Sequence, residues 1–551
     1  MARLDRLDGG KALAQLCATL GREFSYALLR AVSDLDDAAL DRELDRLVEA
    51  EFLYQRGTPP DATYVFKHAL IREAAYESLL RSTRRQYHRR NALAMVSQFA
   101  AESAAQPEYV AMQFTEAGEL GDAVRWWQSA GRRAFSRAAY AEAAVHFTKG
   151  LSLLTSTPGS AERDQRELEL QVELGYALIP LRGWAAPETA AAFTRAGELS
   201  RSIGETPVRF RALWGLGAFH FVRGDQRRGR EVADQCLTVS RGYNDVDARI
   251  EAHYLSGIVL CTMGEFLRGQ RELEACVRIY GTARRDVHRV LYGQDAKASA
   301  LGWLAMARWV CGRPDEALDV AEEGLAFIRD GAPPFLLARA LAAVGFVRVF
   351  RGDPQGPDSP LEAAIALCAE QGFKYFHAVV SAFYGASLAQ SGRAEEGIAE
   401  MQANVVTLRH VGSELLFTLI FAHLASALLT EERNQEGLAA IDDGLACVER
   451  NGERWAEAEL HRIRGRLLTA SGMPEAVGAE SCFQRALKVA RGQGARAYEL
   501  RAATDLAQLW SQHGKGRQAA SLLADVLGAW TNGMRTPDLD RARAVHESLS
   551  R

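Results

Sequence analysis

Two Gly-Lys pairs are the first places in this 551-residue chain where phosphate chemistry could sit. A phosphate loop needs G-x-x-x-x-G-K followed by Ser or Thr, because glycine backbone cradles the phosphates while the hydroxyl holds magnesium. Gly10-Lys11 is followed by Ala12 and Gly514-Lys515 by Gly516, so neither pair supplies the hydroxyl. No other nucleotide fingerprint takes its place. His146, His220, His253, His377 and His461 are scattered with no H-E-x-x-H pair, and no G-x-S-x-G elbow presents a nucleophilic serine. The eight cysteines form no C-x-x-C and fall mostly in helical stretches, where a thiol packs as a small hydrophobe. The expectation is a chain with no catalytic residues and no metal site of its own.

Two clusters suit binding better than catalysis. Arg81, Arg84, Arg85, Arg89 and Arg90, with His88, occupy ten residues that hold no acid, and Arg81, Arg85 and Arg89 share one helical face. Arg81, Arg84 and Arg85 are the candidates for nucleic-acid phosphate; the alternatives are a solvated face or one that docks on another module. A net charge of −4 gives no global drive toward polyanions, so nucleic acid is not the favoured partner. The second cluster is Arg284, Arg285, His288, Arg289 and Tyr292, preceded by Tyr280. Aromatic and basic groups together could grip an acidic peptide or a phosphate, and a long loop with snorkelling arginines explains them equally.

The elements that must position these clusters follow from a ladder of small residues: Gly131, Gly175, Gly217, Gly257, Ala305, Gly345, Gly385, Ala425, Gly465 and Ala507. Its intervals run from 40 to 48 residues, and a fixed period of this size means stacked repeats. Seven residues after most rungs comes a turn glycine (Gly224, Gly264, Gly312, Gly352, Gly392, Gly472, Gly514), and five further on another small residue (Gly229, Gly269, Ala317, Gly397, Gly437, Ala519). Each unit reads as helix, turn, helix, with small residues where the helices approach. Glu432 stands where one turn glycine should be, and Pro354 and Pro357 blur another turn. The one interval of 48 marks an insertion between Arg278 and Ser299, which holds the second cluster. The triple register resembles the tetratricopeptide repeat in a long form, over roughly residues 106 to 530.

Before the array, Leu13, Leu16, Cys17 and Leu20 have helical spacing, and Ser25 and Asp36 can cap two further helices. Extended runs over 52–56 and 63–66 flank Gly57-Thr58-Pro59-Pro60-Asp61, a hairpin turn. Three helices and a hairpin make a winged helix. The expected organisation is all-α: a winged-helix-like domain (1–80), a linker helix (81–105), a right-handed tetratricopeptide superhelix of about ten helix pairs (106–535) and a capping helix (536–551) started by Asp538. The first residues have no signal-peptide core and no run of about 18 apolar residues follows, so a cytoplasmic protein is expected.

Gly21-Arg22-Glu23-Phe24 and the run Tyr64 to Tyr76 (YVFKHALIREAAY) are similar to the segment after the ATPase module in bacterial proteins that join a class III adenylate/guanylate cyclase, an AAA/STAND-type ATPase and a tetratricopeptide region. The similarity continues through Gly183-Trp184-Ala185-Ala186-Pro187-Glu188, Tyr292-Gly293-Gln294-Asp295, Gly452-Glu453-Arg454-Trp455, the run Glu457 to Arg462 and Thr536-Pro537-Asp538-Leu539. The resemblance implies that catalysis lies upstream, so that ATP, ADP and magnesium concern this chain only through a missing ATPase module. It also implies a role for His68, whose place is similar to that of a histidine by which such ATPases sense bound ADP; packing within the wing is the alternative. The function expected is a non-catalytic regulatory module that binds a peptide or protein domain in the repeat groove. The alternatives are one half of a cyclase or ATPase, and an ATPase-type transcription regulator.

Overall fold

The computed structural model describes residues 10–201, 206–242, 245–281, 285–329, 331–353, 359–471, 476–530 and 534–550. Two compact units emerge, Met1–Ala177 and Leu178–Arg551. Among the described residues the only strands are three short ones before residue 67.

The first unit runs α1 (Gly10–Leu20), β1 (Glu23–Ser25), α2 (Tyr26–Val32), α3 (Asp37–Glu49), β2 (Leu53–Arg56), β3 (Thr63–Phe66) and α4 (Ala69–Glu77). It continues with α5 (Arg81–Gln98), α6 (Ala100–Ala105), α7 (Pro107–Ala117), α8 (Leu120–Ser136), α9 (Tyr140–Leu154) and α10 (Ala161–Arg182), within which the division falls. Ser25 and Asp36 cap as their residue types require: their side chains accept from the amides of Leu28 and Ala39 at 3.2 and 2.8 Å. The strands form an antiparallel sheet in the order β1-β3-β2, with Phe24 opposite Tyr64. The hairpin expected from the sequence therefore gains a third strand, whose three residues are too few to mark a strand in the sequence.

One core runs through this unit from Leu13 to Ala130, with members on both sides of residues 80 and 105. A buried polar chain stitches it. Gln113 on α7 donates to the Thr19 carbonyl at 2.9 Å, Asn91 on α5 donates to the Thr19 hydroxyl at 3.0 Å, and the His88 ring lies 2.6 Å from Gln113 Oε1 and 3.0 Å from the Tyr76 hydroxyl. The helix 81–98, part of the linker read from sequence over 81–105, contributes Ala92, Ala94 and Met95 to this core.

The second unit contains α11 (Pro187–Ser200), α12 (Pro207–Arg223), α13 (Gln226–Gly242), α14 (Val246–Thr262), α15 (Phe266–Ile279), α16 (Arg285–Tyr292), α17 (Ala296–Val310), α18 (Pro314–Ile328) and α19 (Pro334–Arg351). There follow α20 (Pro360–Gln371), α21 (Lys374–Gln390), α22 (Ala394–His410), α23 (Phe417–Thr430), α24 (Asn434–Asn451), α25 (Glu457–Ala470), α26 (Ala476–Gln493), α27 (Arg496–Gln512), α28 (Gly516–Leu527) and α29 (Pro537–Ser550). Several of these helices begin on proline, whose fixed φ and missing N–H suit the first helical position.

The helices pack as consecutive pairs, α12/α13 and α14/α15, then α17/α18 through α27/α28, and the first helix of each pair also packs on the first helix of the next. This is a tetratricopeptide-like superhelical array. The ladder residues set its spacing: a Cβ on Gly257 would sit 2.6 Å from Leu273, one on Gly345 2.3 Å from Leu361, and one on Gly397 2.3 Å from the Gly385 carbonyl. The turn glycines adopt left-handed backbone, and Glu432 does the same at φ 57° where the sequence lacks glycine. Pro354, Pro357 and Gly472 lie outside the described residues. The last helix, α29, covers the final pair, burying Leu539 and Ala542. Its cap is Thr536, whose hydroxyl accepts from the Leu539 amide at 3.2 Å; Asp538, the expected cap, instead receives Arg501 at 2.7 Å.

The second unit curls until it meets itself. The C-terminal ends of α12 and α14 abut the segments that open α23 and α25, the turn after α17 meets Arg496 at the start of α27, and the last turn of α19 meets Arg501 farther along α27. Ser413 donates to the Val222 carbonyl at 2.6 Å, the Arg454 amide to the Thr262 carbonyl at 2.8 Å, and the Arg501 guanidinium to the Phe350 carbonyl at 3.1 Å. Trp455 is buried against Phe266 and Trp303, at ring distances of 5.1 and 5.9 Å.

Candidate functional site

Inside this curl, the first helices of successive pairs line a partly open chamber of about 140 Å³. Its walls come from α12 (Trp214, Phe221), α14 (Tyr254), α17 (Trp303), α19 (Phe335, Arg339, Phe346) and α21 (Tyr375, Phe376), and Trp184, Leu415 and Leu416 also line it. Nine aromatic rings line it, and Arg339 is the one charged side chain among the described lining residues. A concave, mainly apolar space with a few placed polar groups is what a recognition site requires.

The polar groups are specific. The Arg339 guanidinium donates to the Tyr254 hydroxyl at 3.0 Å and lies 6.0 Å from the Phe335 ring centre. Burial pushes the Tyr254 phenol above its ordinary pKa and the Tyr375 phenol up to about 12, so both stay neutral beside the cation. No carboxylate of the described residues makes an ion pair with Arg339. Gln294, also in the lining, donates to Glu251 Oε2 at 2.7 Å, and Glu251 Oε1 lies 2.8 Å from His288 Nδ1. Burial works against a charge on His288, but Glu251 and Asp247 outweigh it and hold its pKa above the usual imidazole value.

The sequence-derived candidates are distributed as follows. His288 is fully buried and Tyr292 nearly so, with the Tyr292 ring 5.2 Å from that of Trp214. The insertion therefore does not present these two residues as a surface grip: it folds as α16, whose inward side props the chamber wall, because an imidazole between two carboxylates and a phenol against indole are more stable inside. Arg289 lies near Asp295, at 3.9 Å. Arg284 lies outside the described residues, and only the backbone of Arg285, at the start of α16, is described.

His68 precedes α4 with extended backbone, is exposed and makes no capping bond. Arg84 is turned inward, its guanidinium 4.1 Å from the centre of the Tyr76 ring and bonded to the Tyr76 carbonyl, while Arg81 and Arg85 are exposed. Arg89 pairs with Glu119 and Arg90 with Asp34, so the basic run is partly neutralised by acids distant in sequence. Among the described residues no cluster of three or more His, Cys, Asp or Glu could hold a metal ion, and no helix is long and apolar enough to cross a membrane.

Sequence reasoning missed Arg339, Tyr254 and the tryptophans of the chamber. A signal existed: Trp214 and Tyr254 each stand three residues before a ladder glycine, on the side of the helix that turns inward.

No protein-family model matches the chain. It is similar to an uncharacterised protein of Rhizobium meliloti (strain 1021), 25% identical over 520 residues that cover 92% of this chain and 49% of that protein. The chain thus spans about half the length of the curated relative it matches. Among solved structures it is similar to a Rap protein complexed with competence and sporulation factor (11% identity, TM-score 0.48, covering 71% of this chain and 99% of that one). It is also similar to a signal-transduction ATPase with numerous domains, carrying a tetratricopeptide-repeat sensor, from Pyrococcus horikoshii (13% identity, TM-score 0.27, covering 94% of this chain and 62% of that one).

Proposed function

We propose that this chain is a non-catalytic recognition and regulatory module of a larger bacterial signalling protein, and that its repeat array receives a peptide or protein partner. The observation that carries this reading is the convergence of successive first helices on one aromatic-lined chamber whose wall holds Arg339, with which no carboxylate of the described residues makes an ion pair. Stacked pairs have no need of so many aromatic side chains for stability, since alanine and leucine fill interiors of this kind. The chamber is too small for a stretch of chain, so a partner would lie along the array and insert no more than a side chain.

The relative of about twice the length leaves room for a further module, and the ATPase or cyclase context depends on one. In that setting the exposed His68, at the junction of β3 and α4, is available to a nucleotide held by the upstream module. The engagement of Arg84 with Tyr76 and the pairing of Arg89 and Arg90 speak against the transcription-regulator reading.

The test has two arms. ATP and GTP turnover by the purified chain should match a heat-inactivated control. Photo-crosslinking from benzoylphenylalanine placed at Phe335 should trap a protein or peptide in the producing cell, and excess unlabelled chain should compete it away. Turnover above the control, or crosslinks confined to the chain itself, would overturn the proposal.

A further inference from the structure

We infer that the chamber binds a small carboxylic acid built on a flat ring, the carboxylate held by Arg339 and the ring enclosed by Trp303, Phe335 and Tyr254. The inference rests on the recognition reading above and names the ligand class for the same chamber. Size comes first. An apolar cavity of roughly 150 Å³ takes a benzene molecule, and this chamber, at about 140 Å³, has the capacity for one ring with a short substituent. Lining comes second: aromatic walls offer edges and faces to a planar guest, which pairs with them in tilted or offset geometry.

Charge decides the polar end. Arg339 bonds to a neutral phenol, and Tyr375, the other phenol of the lining, is neutral as well. Of the carboxylates bonded to lining residues, Glu251 is committed to His288 and to Gln294, and Glu453 to the Leu416 amide and Thr418. The guanidinium therefore keeps donors for a two-pronged contact with a carboxylate, the geometry its planar fork favours. An amide or an alcohol on the same ring could use one donor and would leave the charge unmatched, so the site discriminates by charge as well as by shape.

Calorimetric titration of the full chain with benzoate, phenylacetate, benzamide and acetate tests this. Saturable binding of benzoate or phenylacetate is expected, about tenfold or more tighter than benzamide and than acetate, with quenching of tryptophan emission. Arg339→Gln should cost the ring carboxylates about tenfold while leaving benzamide unchanged, with circular dichroism and melting temperature as in the parent; Arg339→Lys should restore part of the loss. Filling the chamber with Ala340→Met should weaken every ring compound alike. No binding by either ring carboxylate, equal binding of benzamide, or an Arg339→Gln variant of unchanged affinity would each overturn the inference. A trapped protein partner together with any of these would leave the recognition role standing and remove this ligand class alone.

Discussion

The Ser413 hydroxyl donates to the carbonyl oxygen of Val222, 191 residues earlier in the chain, at 2.6 Å. Val222 lies in the last turn of α12, where carbonyls lack a partner within the helix, and the adjacent Glu414 amide takes the Arg223 carbonyl at 3.2 Å. One turn of the superhelix thus supplies the missing caps of another. The turn glycines serve this seam too: a Cβ on Gly224 would meet Glu414, and one on Gly264 would meet Gln493 and approach the Arg454 carbonyl.

Removing the donor leaves a fully buried carbonyl without that partner. Ser413→Ala should lower the unfolding free energy by about 1–2 kcal/mol, read from denaturant midpoints at constant slope. Replacement of Ser391, whose hydroxyl bonds only within its own helix, to the Ser387 carbonyl, should cost less than half as much.

Glu432 pays a backbone cost that the other turns avoid. It holds φ 57° at the position where Gly392 and Gly514 sit at 86° and 75°. Glu432→Gly should raise stability by up to about 1 kcal/mol, measured by thermal and chemical unfolding, since left-handed backbone penalises a side chain more than glycine loses in chain entropy.

Two buried carboxyls bend the pH profile in opposite directions. Burial would raise the pKa of Glu459, but Arg462 and Arg501 overcome it and hold the group at about 2, below the ordinary 4.5. Its stabilisation is complete above about pH 4.5 and is lost as pH falls toward 2. Burial raises Glu453 to about 7 despite hydrogen bonds from Thr418 and from the Leu416 amide. The folded state then holds this proton more tightly than the unfolded chain does, so its contribution declines as pH rises from about 4.5 through 7. The joint contribution of these two carboxyls should peak at about pH 5 and fall on both sides. Glu453→Gln should flatten the slope between pH 5 and 8 and leave the acid limb intact, as unfolding curves across pH would show.

The repeat architecture was legible because close helix contacts demand small residues at a fixed period, and Gly257, Gly345 and Gly397 report those contacts directly. Caps at Ser25 and Asp36 were legible for the same local reason. What escaped was set by contacts distant in sequence. The insertion was read as a grip for an acidic peptide or a phosphate, or equally as a long loop with snorkelling arginines, yet His288 and Tyr292 turn inward toward Glu251 and Trp214, partners that spacing does not disclose. The groove expected along the inner helices is narrowed to a chamber because one turn packs on the next, and Ser413 and Val222 carry no local sign of each other. The strings Trp184, Tyr292 to Asp295, Glu453 to Trp455 and Asp538 entered as marks of resemblance; in the fold they supply the chamber wall and the seam.

Closure of the second unit on itself underlies both the chamber and its proposed ligand, and electron–electron distance measurement tests it directly. Spin labels would replace Arg228 and Glu449, both exposed, with Cys482 changed to serine and the other cysteines left buried. Arg227 donates to the Glu449 carbonyl at 2.8 Å, so the account predicts a single narrow distribution below about 25 Å, one helix diameter plus the label arms. An open stack of five helix pairs at 8–10 Å spacing would place the labels beyond about 40 Å, and that distance would contradict it.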